Sequence, residues 1–325
     1  MKPTFFIFIL FCSNLFAQGP YAPAVGQAGT TAIHKDSTVF TAWASNCELI
    51  RGWQNIADTS LGKTTIGNDT SATGKSGVNG LVSLGDGGMA TLTFNGFIYN
   101  DVGADFAVFE NSFDGMFLEL AFVEVSSDGI NFFRFDAFSL TQDTQQLDNN
   151  ANMDATNIHN LAGKYRANYG TPFDLDELSG IAGLDISKIT HVRIIDVVGS
   201  INPLFGTTDS QNNKINDPFP TSFPSGGFDL DAVGVIHYST TSVEELFAGQ
   251  FNVYPNPFKD IIHIENKSIT EINYQLTDIY GKVLISESAS TSNFQLPTSN
   301  FSKGIYFLTI SQGDKRTTQK LIKTK

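Results

Sequence analysis

The stretch Phe117–Phe135, FLELAFVEVSSDGINFFRF, decides the fold class. Apolar and polar residues alternate through FVEVS, and a second aromatic run, NFFRF, follows after four intervening residues. Alternation with a period of two sends every second side chain to the same face of a strand. Between the runs, Ser127-Asp128-Gly129 supplies a tight hairpin, because Asp-Gly accepts the positive φ such a turn needs. The reading is strand, turn, strand. Working outward, the same texture recurs in Gly88–Phe94, Asp105–Glu110, His191–Val198 and Asp231–Tyr238. Gly, Asn, Asp and Ser separate the runs, a spacing that predicts an all-β sandwich or barrel. Phe173–Leu178 and Ser242–Phe247 are expected to form short helical turns. Thr141–Asn160, rich in Gln, Asn and Asp, and Ser200–Ser225, rich in Pro, Gly and Asn, read as long loops.

The amino terminus points to export. Lys2 precedes the apolar run Phe5–Cys12, and Leu15-Phe16-Ala17 offers a small residue before Gln18. That order of charge, apolar stretch and small residue predicts a secretory signal peptide over residues 1–17. Phe11 is bulky where a lipoprotein signal wants a small residue, which argues against lipidation of Cys12. No later segment approaches the ~18 apolar residues of a membrane-spanning helix. Loss of the signal leaves Cys47 as the remaining cysteine, so no internal disulfide is expected. With no activating partner nearby in sequence, Cys47 reads as a small packed residue.

Charge is unevenly spread. Residues 1–238 hold 25 acidic against 11 basic side chains, and the remainder 8 against 9. So negative a first region is a poor match to a nucleic-acid partner. It suits solubility or the binding of a cation.

Near residue 245 the texture changes. Residues 239–250 (STTSVEELFAGQ) read as a polar linker. Seven short strands are then predicted: Phe251–Tyr254, Ile261–Ile264, Tyr274–Asp278, Val283–Ser286, Phe294–Leu296, Gly304–Ile310 and Thr317–Ile322. This is the pattern of a small Ig-like sandwich. Within it stand VYPNPFKD (Val253–Asp260), YQLTDIYGKVL (Tyr274–Leu284), LPTSNFSKGIYFLTI (Leu296–Ile310) and the basic end QKLIK (Gln319–Lys323). Together these segments resemble the type A C-terminal sorting domain of the type IX secretion system, which serves Bacteroidetes. The resemblance covers residues 251–325. It implies export across the outer membrane, recognition by the type IX machinery, removal of this domain, and attachment of the remainder to surface lipopolysaccharide. The residues that carry the signal are Pro255, Asn256, Pro257, Gly281, Gly304, Tyr306, Lys320 and Lys323, the two lysines being available to a receptor. The expected location is extracellular or on the outer-membrane cell surface.

The first region, residues 18–238, shows no Gly-x-Ser-x-Gly elbow, Walker loop or His-Glu-x-x-His helix. Its histidines (His34, His159, His191, His237) are scattered. The acids are more suggestive. Acids inside apolar strands are costly unless they are paired or bound to a cation. Asp105, Glu110, Asp196, Asp229 and Asp231 are the candidate ligands of a structural calcium ion, which favours hard oxygens. The alternative is that Glu110 and Asp196 pair with Arg134 and Arg193 or cap turns at strand ends.

The order FLELAFVEVSSDGINFFRF, then HVRIIDVVG, then FDLDAVGV resembles galactose-binding-like jelly rolls. The longer string from GADFAVFENSF to SGGFDLDAVGVI resembles a family of bacterial secreted cell-surface proteins. The first resemblance implies a jelly-roll β-sandwich suited to binding carbohydrate. Trp53, Tyr169 and Phe219 are the candidate ligand-stacking rings. The expectation is a non-catalytic surface protein that captures a glycan or other small nutrient. Its alternatives are a secreted hydrolase, an accessory to outer-membrane uptake of a cobalamin-like ligand, and a structural adhesion protein.

Overall fold

The computed structural model describes residues 19–240, 247–248, 250–267, 271–313 and 315–324. The expected signal peptide, most of the linker and most of the Ser242–Phe247 turn lie outside the described residues. The chain divides into two compact units, Met1–Tyr238 and Ser239–Lys325.

The first unit is built from β1 (Ile33–His34), β2 (Ala42–Trp43), β3 (Asn46–Ile50), β4 (Val82–Ser83), β5 (Met89–Ile98), β6 (Phe106–Glu110), β7 (Ala121–Ser126), β8 (Phe133–Arg134), β9 (Phe138–Ser139), β10 (Ile158–His159), β11 (Tyr169–Phe173), β12 (Ile189–Asp196), β13 (Asp229–Val235) and β14 (Tyr238–Ser239). They make two main antiparallel sheets. One runs β1-β11-β6-β13-β2, with β4 also on β13. The other runs β14-β5-β12-β7-β8, with β3 also on β5.

Parity along the strands explains the packing. Phe106 and Val108 of β6, Val123 and Val125 of β7, and Val192 and Ile194 of β12 all enter one buried cluster between the sheets. The residues between them face outward. Ala107 and Phe109 join Ala232 in a small cluster under Phe40 and Trp43. Leu118, Leu120 and Phe122 form another with Ile158, Leu161 and Ile215. This last cluster is where the two long loops come in.

The loops are held by side-chain amides. Asn216, fully buried, donates from Nδ2 to the carbonyls of Gln142 and Gln145, and its Oδ1 accepts from the Leu147 N–H. Gln146 Nε2 donates across to the Gly199 carbonyl at 3.0 Å. The Asn and Gln enrichment that marks these segments as loops thus supplies the bonds that order them. The hairpin between β7 and β8 forms as expected: Gly129 has φ 76, and Asp128 accepts from the N–H groups of Ile130 and Asn131. The turn expected at Phe173–Leu178 is a 3-10 helix over Leu175–Leu178.

The second unit has β15 (Phe251–Tyr254), β16 (Ile261–Asn266), β17 (Ile272–Asp278), β18 (Val283–Ala289), β19 (Asn293–Pro297), β20 (Gly304–Gln312) and β21 (Lys315–Lys323). They form sheets β15-β16-β19 and β18-β17-β20-β21 around Phe258, Ile262, Leu276, Leu308 and Leu321. Asn256, between Pro255 and Pro257, donates to the Lys320 carbonyl at 2.9 Å and accepts from the Ile322 N–H at 3.0 Å. Gly281 takes φ 79 in the β17–β18 turn. Gly304 opens β20 opposite Lys323. Tyr306 is buried and donates from its hydroxyl to the Ser302 carbonyl. One expectation needs correction. Lys320 is exposed, but Lys323 is only 4% exposed. Its ammonium donates to the carbonyls of Lys259 and Thr298, so it fastens the domain's end and is not displayed to a receptor.

In the first unit Phe106 stacks on Phe173 at 5.4 Å and meets Phe135 at 6.0 Å. Phe106→Ala is expected to cost about 3–5 kcal/mol in the denaturant unfolding of this unit. Phe106→Leu is expected to cost distinctly less.

Candidate functional site

Two regions of the first unit concentrate polar chemistry. The first is a cleft of about 500 Å³ bordered by Tyr21, His159, Asn160, Lys164, Asp174 and Glu177. Its walls follow from local structure. The imidazole of His159, at the end of β10, is sandwiched between Tyr21 at 4.9 Å and Phe138 at 5.8 Å, both nearly parallel to it. Asn160 then turns the chain with φ 49, and its amide donates to the Glu177 carboxylate. That turn carries Lys164 inward. Lys164 is 5% exposed, and its Nζ donates to the Ile158 carbonyl at 2.6 Å. Among the described residues no carboxylate forms an ion pair with it. Burial pushes the Lys164 ammonium down to about 8. Burial, then the Lys164 charge, lowers the His159 imidazole. Asp174 caps the 3-10 helix that carries Glu177, accepting from the Asp176 N–H. Both carboxylates of the cleft therefore come from one wall.

The second region is one end of the sandwich. Glu110 and Asp196 are buried and continue the inward-facing parity of β6 and β12, one step beyond Val108 and Ile194, and Glu119, two residues before β7, is half-buried. Asp196 accepts from the N–H groups of Gly87 and Phe228. Asp217 accepts from Leu120 N–H, Asp86 from Ile56 N–H, and Glu110 from Ser112 N–H. Asp229 accepts from the Ser83 hydroxyl. Burial holds Glu110, Glu119, Asp196 and Asp217 well above the usual carboxylate range, and neighbouring acids add to this for each. None of the six ion pairs among the described residues involves them. Arg134 and Arg193, the expected partners of Glu110 and Asp196, both pair with Glu124 instead.

The structure separates several residues that sequence reasoning grouped. Asp105 immediately precedes β6 and Glu110 ends it, so the two sit roughly 16 Å apart along the strand direction. Asp105 is satisfied by His237 Nδ1 at 2.6 Å and by the N–H groups of Asp101 and Leu175. Asp231 is held by the Ser76 hydroxyl and Gly77 N–H. Among the described residues no three His, Cys, Asp or Glu side chains form a group able to hold a metal ion. The candidate rings do not converge either. Lys63 Nζ covers the Trp53 ring at 3.6 Å. Tyr169 packs edge-on to His34 and lies under Arg166. Phe219 is buried, so its ring is not offered to a ligand. Cys47 has its thiol pushed up to about 12 by burial, which leaves it protonated and unreactive. Sequence reasoning missed Lys164. Its one sequence signal is a lysine enclosed by apolar residues in LAGKY.

Residues 252–324 match the family model for a secretion system C-terminal sorting domain. None of the curated proteins matches the chain. Among the solved structures with weak likeness are the following three. PorZ, a surface component of the type IX secretion system of Porphyromonas gingivalis, is 16% identical over 29% of this chain and 14% of its own, with a TM-score of 0.23. The BSP domain of a biofilm-associated protein is 8% identical over 73% and 48%, at 0.20. A β-glucuronidase from Lactobacillus rhamnosus is 11% identical over 92% and 46%, at 0.22. The chain spans less than half the length of each of these structures, and likeness at this level carries no argument about activity.

The buried acids give a pH signature. Burial pushes Asp86 and Asp229 each from 3.8 to about 6. A carboxyl raised in the folded state binds its proton more tightly there than in the unfolded chain. The resulting stability is complete below about pH 4 and is lost as pH rises through 6. The difference is at most about 3 kcal/mol for each group. Asp114 and Asp128, lowered by backbone N–H donors, act in the opposite sense but below this window. In chelated buffer the unfolding midpoint of the first unit should fall between about pH 4 and pH 6. Asp86→Asn and Asp229→Asn should each flatten that fall, and a midpoint rising across the window would refute the assignment.

Proposed function

We propose that this secreted cell-surface protein, sorted by the type IX system through its C-terminal domain, captures a glycan or similar hydroxylated small molecule in the cleft of its first unit, without catalysing its conversion. The observation that carries the reading is the cleft itself: a half-buried aromatic, Tyr21, beside the polar groups of Asn160, Lys164, Asp174 and Glu177. Aromatic and convergent polar groups in one concavity are what a saccharide site needs. A hydrolase using two carboxylates is the weaker reading. Such chemistry places the carboxyl groups on either side of the scissile bond. Asp174 and Glu177 share one wall, and Glu177 is engaged by Asn160. The resemblance of the terminal domain supports the further proposal that the remainder is attached to surface lipopolysaccharide after sorting.

A glycan array probed with the purified protein tests the capture reading. Retention of a restricted set of saccharides is expected, weakened about tenfold by Tyr21→Ala through loss of stacking. A blank array, or release of cleaved product from a bound glycan, would sink it.

The proposal includes a structural calcium ion at the acidic end. The donor chemistry fits, since hard carboxylate oxygens face inward there with no cationic side chain paired to them. Asp86, Glu110, Asp196 and Asp217 accept from backbone N–H groups and Asp229 from the Ser83 hydroxyl, so binding has to draw the carboxylates together. Calcium is expected to raise the melting temperature of the protein above that in chelator, by the linkage of binding to folding. Equal melting temperatures would remove calcium from the proposal.

A further inference from the structure

We infer that the cleft selects a ligand bearing a single carboxylate, a sugar acid in preference to the neutral sugar, and that the Lys164 ammonium receives that carboxylate. The inference rests on the capture reading and deepens it.

A buried ammonium without an ionic partner is costly, and proteins retain one where something pairs with it. Lys164 is 5% exposed yet borders the cleft. Of its three N–H donors, one goes to the Ile158 carbonyl. Asp154 acts on it electrostatically but lies outside ion-pair distance. The rings of Tyr21 and Tyr165 lie 6.0 and 5.7 Å from Nζ, and they screen the ammonium from water without neutralising it. A carboxylate entering the cleft would complete the ammonium's shell with a charge-assisted bond, stronger than a neutral one.

The rest of the cleft limits the ligand's charge. Asp174 and Glu177 on the other wall accept hydrogen bonds from hydroxyls and repel a second negative charge. A dianionic phosphate gains at Lys164 and loses at this wall. A hydroxylated monocarboxylate matches both ends. The groups around the ammonium are His159, Asp154 and the phenols of Tyr21 and Tyr165, with Asp174 and Glu177 farther along the cleft lining. His159 is lowered by burial and by Lys164 itself, so it adds little competing positive charge.

The test compares D-galacturonate with D-galactose by calorimetry on the full purified protein. Galacturonate is expected to bind about tenfold tighter or better, the worth of one charge-assisted bond. Lys164→Met should abolish the difference and Lys164→Arg should keep part of it. Glu177→Gln should tighten galacturonate several-fold by removing a nearby negative charge. Should Lys164→Met fail to fold, the wild-type protein still decides the matter, because galacturonate affinity should fall as pH rises through about 8. Equal affinity for the two sugars, a flat pH profile, or a folded Lys164→Met protein that binds galacturonate normally would each overturn the inference. If the array retains neutral glycans while galacturonate does not bind, the anion assignment falls and the capture reading stands. If the array is blank, both fall.

Discussion

The first unit is governed by a conflict between strand parity and burial. Alternation along β6, β7 and β12 fills the space between the sheets with Phe106, Val108, Val123, Val125, Val192 and Ile194. The same alternation, carried one step further along β6 and β12, turns Glu110 and Asp196 inward. A strand has no means of rotating one side chain away without breaking its register. The carboxylates must therefore be accommodated where they stand. Most of that end's architecture answers this need. The Gly85–Gly88 turn brings Gly87 N–H to Asp196, and the segment leading into β13 brings Phe228 N–H to the same group. Gly227 sits so close that an added Cβ would lie 2.6 Å from Asp196 Oδ1. Gly199 is likewise closed against Asp217. These glycines are required by the approach of backbone to carboxylate.

The long loops follow from the same constraint. Backbone donors must be delivered to several buried acids from different directions, which short hairpins cannot do. The loop around Ser200–Ser225 supplies Asp217 and Thr221, and the Thr141–Asn160 loop is tied to it by Asn216 and Gln146. The second loop then runs on into β10 and the turn at Asn160, and this is what brings Lys164 into the cleft. Order at the acidic end and the shape of the cleft are thus parts of one loop system.

Legibility in the sequence divided along the range of the interactions. The β7–β8 hairpin, the seven strands of the sorting domain and the loop segments depend on neighbours within a few residues, and local pattern reveals them. The acids of the sandwich end were also visible, because Glu110 and Asp196 interrupt apolar runs. Their company was not. Asp105 looks equivalent to Glu110 in sequence but lies at the other end of the same strand, bonded to His237. Glu119 and Asp217 enter through pairings between distant segments. Phe219 resembled a loop aromatic until the two loops folded over it. Lys323 resembled a displayed charge although β21 carries it inward. Lys164 was missed because an isolated lysine in a loop ordinarily stays in water, and only the stacking of Tyr21 on His159 encloses it.

Net charge and local charge work against each other in the first unit, and the difference shapes how a cleft of this kind functions. Residues 1–238 carry a large excess of acids, so the long-range field opposes any approaching anion. That field acts over distances comparable with the ~8–10 Å screening length of ordinary salt solutions. The Lys164 ammonium acts at hydrogen-bond range inside a partly enclosed site, where water and salt screen it far less. An anionic ligand would thus be slowed in arrival and favoured once seated. The discrimination would be expressed mainly in how long the ligand stays. For a protein sorted to the cell surface, slow release is the property that separates capture from passing contact. On the proposed capture reading, a single buried cation would give it without turning the whole surface into a non-specific anion binder.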